Sequence, residues 1–385
     1  MKFLYHHRTR SKDGQTVHIE ELIKALRDQG HEVVLVAPKG IEAAEFGDDA
    51  GLVAVLKRML PAAVYELLEL AYSVPAFFRL RAAFREHRPA VLYERYNLYH
   101  LPGVWLRRLY GLPMLLEINA PLVDERREHG NLALVGLARW IERLTWRTAD
   151  RVLPVTQVLA NHCIEHAVDP RRITVIPNGV GHEFLELDAD AGTKVRQQHG
   201  LDRSLVLGFT GFMRPWHGLD RVIDLIADSD PQLDLRLLLV GDGPARQDLA
   251  RRAESRGVAE RIVFTGVVPR HLMPAHVAAF DIALQPHVVP YASPLKLFEY
   301  MALGRPIVAP ATPNISEILN DGVDALLFDM HDPEAFRGAV ERMVGDPALR
   351  DRLGRGARAT IDRLDLTWAG NARRVGELAQ SLTSA

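Results

Sequence analysis

Short apolar runs alternate with longer stretches of helical periodicity along almost the whole chain. An apolar run at 2–5 is followed by a polar loop over 6–15. Val17, Ile19, Leu22, Ile23 and Leu26 then share one face of a helix predicted over 16–29. Gly30 is a stop signal, and 33–37 is the next apolar run. Further strands are predicted at 91–95, 114–118, 151–155 and 173–180, with a helix over 132–148. Pro177, Asn178 and Gly179 end this series as turn residues. Small and polar residues follow over 187–192, and a second series starts. Its strands are predicted at 205–210, 235–240, 262–265 and 281–285, with another from Pro306, and helices fall between them. Strand–helix alternation of this kind predicts an α/β chain of two parallel sheets, divided as 1–178 and 179–366 and followed by a helical tail over 367–385. A cleft between two such sheets is a natural substrate site.

Residues 51–88 break the alternation. They are helical in pattern, rich in apolar residues, interrupted by Pro61 and Pro75, and punctuated by Lys57, Arg58, Arg79, Arg81, Arg85 and Arg88. Two readings stand: a peripheral membrane surface, or a helix pair packed on the sheet with solvated arginines. The 385-residue composition is that of a globular protein, and a net charge of −2 gives no reason to expect nucleic acid. A single cysteine, Cys163, excludes an internal disulfide framework and a cysteine-rich metal site, and it fits a reducing, cytoplasmic location. The N-terminal apolar run is too short for a secretory signal, and no run is long enough to span a membrane.

The chemistry concentrates in YASPLKLFEYMALGRPIVA, from Tyr291 to Ala309. Ser293 is expected to cap a helix and Pro294 to open it. The backbone N–H groups of the first turn, the helix dipole and the Lys296 ammonium together make an anion site suited to phosphate. Glu299 lies one turn on, where an intrahelical ion pair with Lys296 is the competing reading. The polar residues ending the first-half strands are also candidates: Glu94, Arg95 and Asn97, then Glu117 and Asn119. His6, His7 and His18 have no carboxylate partner fixed by spacing, so no metal site is assigned to them.

At this point the chain resembles a known family. GHEVVLVAP from Gly30, ADRVLPVT from Ala149, VIPNGV from Val175, LVGDGP from Leu239, FTGVVP from Phe264 and SPLKLFEYMALGRPIVA from Ser293 stand in the order and spacing of the retaining family 4 glycosyltransferases. That resemblance implies a GT-B fold, with two facing Rossmann-like domains and an interdomain cleft. The first domain would bind the acceptor and the second the donor, with the last helix crossing back and Trp368 as its packing anchor. It implies sugar transfer from a nucleoside-diphosphate-sugar, a co-substrate, with no cofactor and no metal. Glu299 would hold the ribose hydroxyls, and Ser293, Pro294, Leu295 and Lys296 the diphosphate. Gly266, Val267 and Val268 would border the base. Arg214 and His217 stand in the phosphate-binding loop, and Gly14 in the glycine-containing first loop.

The chain departs from the family pattern at three positions. Tyr291 stands where a sugar-reading carboxylate is common, His217 where a lysine is usual, and Asn119 where a histidine is frequent. Arg214 and Lys296 are expected to stabilise the leaving diphosphate, with Asn119 as the third catalytic candidate. Glu117, Asn119, His18 and Tyr291 are expected to position sugar or acceptor. The expected donor base is uridine, with guanosine second. The acceptor is a lipid-linked glycan of surface polysaccharide assembly or a soluble small molecule, reached in the cytoplasm or at the inner membrane face. A nucleotide-sugar epimerase of the same architecture and a non-catalytic sugar-nucleotide binder are the alternatives.

Overall fold

The computed structural model describes residues 1–9, 14–38, 59–128 and 130–384. Arg10 and Lys12 of the first polar loop, and 51–58 of the basic apolar region, lie outside them. The chain forms two compact units. One comprises Met1–Pro177, Tyr291–Ser293 and Trp368–Ala385; the other comprises Asn178–Pro290 and Pro294–Thr367.

The first unit holds a five-stranded parallel sheet of β1 (Lys2–His6), β2 (Glu32–Val36), β3 (Val91–Arg95), β4 (Met114–Ile118) and β5 (Arg151–Pro154), ordered β2-β1-β3-β4-β5. The second holds β6 (Leu205–Thr210), β7 (Leu235–Val240), β8 (Ile262–Phe264), β9 (Ile282–Leu284), β10 (Ile307–Pro310) and β11 (Leu326–Phe328), ordered β11-β10-β9-β6-β7-β8. Both are doubly wound orders. Their switch points fall between β1 and β3 and between β6 and β9, where such sheets bind ligands beyond the strand carboxyl ends.

Near-continuous apolar strands reflect burial on both faces. Leu92, Met114, Leu116 and Val152 pack with Trp146 and Leu80 in the first unit. Leu207, Phe209, Leu237 and Ile282 pack with Ile223, Phe336 and Leu353 in the second. Helices Ala335–Gly345 and Pro347–Leu364, together with β11, complete the second unit.

Four details differ from the sequence reading. The expected strand 173–180 is reduced to a bridge from Ile173 to Val152 and another from Val180 to Thr367, since Pro177 has no N–H to continue a ladder. Pro75 does not interrupt a helix but lies in the first turn of Ser73–His87, where a missing N–H costs nothing. The break falls instead at Tyr72, after the Ala62–Ala71 helix. Finally, Ser293 does not cap and Pro294 does not open the Lys296 helix: Pro294, in extended conformation, holds the cap position of Leu295–Ala302. Among the described residues no helix is long and apolar enough to cross a membrane.

Candidate active site

In the second unit, the loops leaving β6, β7 and β8 are tied backbone to backbone. The Met213 N–H donates to the Asp242 carbonyl (2.8 Å), and the Gly241 N–H to the Gly266 carbonyl (3.0 Å). A Cβ on Gly241 would lie 2.3 Å from the Gly211 carbonyl oxygen, and its φ of 128° already disfavours other residues. These contacts hold the strand-end loops close together.

The Leu295–Ala302 helix is anchored beneath the end of β6. The buried Tyr300 hydroxyl accepts from the Thr210 N–H at 2.9 Å. One turn earlier, the Lys296 ammonium sits 3.7 Å from the centre of the Phe209 ring. Burial pushes the Lys296 pKa down to about 7, and nearby Glu299 only partly restores it. The expected alternative, an ion pair from Lys296 to Glu299, does not form among the described residues. Glu299, 5% exposed, pairs with Arg270, which also lies 3.4 Å from Glu183 and over the Phe184 ring. Two charges on one helix thus stand apart, Lys296 against the end of β6 and Glu299 toward the turn after Gly266.

Arg214 is exposed and stacks over Phe212. His217 is buried, and its Nδ1 accepts from the Arg214 N–H at 3.1 Å. Burial, followed by the charges of Lys296 and Arg214, pushes its pKa far down. His217 is therefore neutral, with its proton on Nε2, and offers a hydrogen-bond donor in place of a charge. Gly266 and Val268 are partly buried beside exposed Val267.

In the first unit, Glu117 is the centre of a buried network at the end of β4. It is 2% exposed and accepts from His18 Nε2 (2.8 Å), the Tyr93 hydroxyl (2.6 Å), Asn119 Nδ2 (2.5 Å) and the Arg95 guanidinium. Burial alone would raise its pKa, but the charges of His18 and Arg95 and the hydrogen bonds more than reverse that. A carboxylate with four donors has no capacity left to take a proton from substrate. Its role is to fix Asn119, His18 and Arg95. His18 in turn meets Trp368 edge-to-face at 4.9 Å, which ties the last helix to the network. Tyr291 belongs to this unit: its carbonyl accepts from the Thr156 hydroxyl (3.2 Å), and burial and then Glu125 and Glu128 raise its phenol pKa. Gly14 opens the Gly14–Asp28 helix.

Periodicity alone does not reveal Phe209, Arg270 or Glu183, whereas Arg95 is visible as a polar residue at a strand end. Tyr300 carries a signal, since it stands four residues after Lys296 on the same helix face. Among the described residues one group has metal-ligand geometry: Glu142, His162 and His166 offer ligand atoms within 4.8 Å of one another. Arg139 already donates to Glu142 at 2.8 Å, so a cation there would compete with a guanidinium.

Comparison with known proteins agrees with this anatomy. A family model described as glycosyl transferases group 1 matches residues 204–346, and one described as a glycosyl transferase 4-like domain matches residues 13–179. A D-inositol 3-phosphate glycosyltransferase of Thermomonospora curvata is 27% identical over 398 residues, covering 93% of this chain and 90% of that protein. An alpha-D-kanosaminyltransferase of Streptomyces kanamyceticus is 24% identical over 257 residues, 66% of each chain. The crystal structure of Anabaena Alr3699/HepE in complex with UDP superposes with a TM-score of 0.76 at 21% identity, covering 99% of this chain and 100% of that one. Sucrose-phosphate synthase of Thermosynechococcus elongatus does so with a TM-score of 0.77 at 20% identity, covering 100% of both. The chain belongs to the group 1, family 4-like glycosyltransferases, and its fold is GT-B. It is a glycosyltransferase.

Proposed function

We propose that the protein transfers a sugar from a UDP-sugar, with retention and without a metal, to a lipid-linked glycan acceptor. The observation that carries the donor half is the Lys296 ammonium held at the β6 end, one turn before the buried carboxylate of Glu299. An ammonium out of bulk water is a strong partner for a diphosphate, and a carboxylate accepts two hydroxyl hydrogens from a ribose diol. Uridine is favoured over guanosine because HepE binds UDP in its crystal. The glycosidic bond to the β-phosphate breaks while the acceptor oxygen attacks the same face of C1. The acceptor proton passes to the departing phosphate. Arg214, Lys296 and the helix N-terminus stabilise the charge that develops there, neutral His217 adds one hydrogen bond, and Ser293, Pro294 and Leu295 form the approach to the diphosphate. Gly266 and Val268 border the base, and Gly14, Asn119, His18 and Tyr291 position sugar and acceptor around the Glu117 network.

The acceptor reading rests on the helices Ala62–Ala71 and Ser73–His87. Val64, Leu67, Leu68, Val74 and Phe78 are exposed there beside Arg79. Incubation with UDP-glucose labelled in the sugar, with lipid-linked glycan extracts as acceptor, tests the proposal. Transfer of label with release of UDP supports it. A changed sugar on an intact diphosphate, or no reaction despite tight binding, refutes it.

A further inference from the structure

Unsatisfied polar atoms collect at the carboxyl end of β1, beside the switch point of the first sheet. Arg8 Nη1 and His100 Nδ1 are buried and, among the described residues, have no hydrogen-bond partner. A buried polar atom left unpaired is rare and costly, and it often marks the place of a missing ligand or water. The surroundings are basic and aromatic. The guanidinium groups of Arg8 and Arg79 lie 5.1 and 5.3 Å from the centre of the Tyr72 ring. Arg79 also donates to the Tyr72 hydroxyl at 2.5 Å, and the His100 ring stacks on Tyr72 at 6.2 Å. Arg126 adds a third guanidinium, forked onto Glu69 at 2.7 and 3.1 Å; Glu69 also lies 3.7 Å from Arg8. Arg8 and Arg126 share the Glu69 carboxylate, and Arg79 adds further positive charge at Tyr72. His100 Nε2 faces His6, which pairs with Glu94, so Glu94 is already engaged.

The site is held in place. The Ser73 hydroxyl donates to the Tyr99 carbonyl (3.0 Å) and accepts from the Leu101 N–H (3.1 Å), so the helix break at Tyr72 is fastened to the turn after β3. Tyr99 has a left-handed φ of 58°, a strain of the kind that persists where surrounding structure enforces it.

We propose that Arg8, Tyr72, Arg79 and His100 bind a phosphate or phosphate-ester group, and that the acceptor of sugar transfer carries it. The second clause rests on the glycosyltransferase reading; the binding itself does not. Planar guanidinium forks match phosphate oxygens, and the open Nη1 and Nδ1 positions supply donors that nothing else uses.

Titration calorimetry of inorganic phosphate into protein saturated with UDP tests it, because UDP fills the donor phosphate site. Wild type is expected to bind phosphate, and Arg8→Gln and Arg79→Gln each to weaken it about tenfold or more, with UDP affinity unchanged. Arg79 is exposed, so its variant keeps the fold if Arg8→Gln does not. Glycerol 3-phosphate and phosphatidylglycerol vesicles identify the source of the phosphate. Competition by the soluble ester alone points to a soluble acceptor. Sedimentation with those vesicles but not with phosphatidylcholine, lost in Arg79→Gln, points to a lipid headgroup. Absence of phosphate binding, or equal binding by wild type and both variants, overturns the proposal. Failure of UDP to bind counts against the donor reading alone.

Discussion

Replacing Lys296 with methionine should stabilise the protein while disabling it. The methionine side chain has nearly the same length and keeps a sulfur contact with Phe209, but it carries no charge. In the folded protein the Lys296 pKa is lowered from 10.5 to about 7, whereas the unfolded chain holds that proton up to the ordinary value. Between those pH values the unfolded state therefore binds more protons, and stability rises with pH. The penalty is full below about pH 7, fades as the pH rises from there and is gone above 10.5. At neutral pH it amounts to at most about 4 kcal/mol, and partial solvent access lowers it. Lys296→Met should thus gain at least about 1 kcal/mol, a rise of ~2–4 °C in melting temperature. The gain should shrink toward pH 10.5. Turnover should fall by about 10²–10³ if the ammonium stabilises the leaving diphosphate. Thermal unfolding across pH, paired with steady-state kinetics on a UDP-sugar, measures both. A variant that is less stable at neutral pH, or that keeps full turnover, refutes the reasoning. Wild-type protein should also take up a fraction of a proton on binding UDP near neutral pH, seen as a buffer-dependent binding enthalpy, and the variant should not.

Two further outcomes follow from the first unit. Glu117→Gln leaves the buried Arg95 guanidinium without a counter-charge and should cost about 3 kcal/mol at neutral pH. The wild-type advantage should decline progressively as pH falls below the ordinary carboxyl value of 4.5, and be gone only in strong acid, because the pKa of Glu117 is lowered far below that value on folding, while UDP affinity should not change. Gly103→Ala would put a methyl carbon 1.8 Å from Glu94 Oε2 and push that carboxylate off His6; a loss of about 1–3 kcal/mol in denaturant unfolding is expected.

The two-sheet α/β architecture was legible because apolar runs and helical periodicity recur in register with Gly and Pro stops, as from Leu205 to Gly218. The apolar composition of 173–180 suggests a strand, while Pro177 removes a donor that only the ladder reveals. Lys296 and Glu299 were visible as a pair at helical spacing. Their separation, one against Phe209 and the other on Arg270, was not, since those partners come from β6 and from a turn beyond β8. Glu117 was recognised as a strand-end carboxylate. That His18, Tyr93, Arg95 and Asn119 all converge on it depends on the parallel register of β3 and β4 and on the first helix, which no local pattern encodes.

In the proposed donor site Glu299 and Lys296 hold a nucleoside diphosphate, with Glu299 on the ribose. Calorimetric titration of UDP and 2′-deoxy-UDP into wild type and Glu299→Gln addresses the ribose contact directly. Removing the hydroxyl should cost wild type about tenfold in affinity and the variant much less, giving a clear coupling energy. Equal losses in both proteins, or no loss in wild type, would contradict that ribose contact.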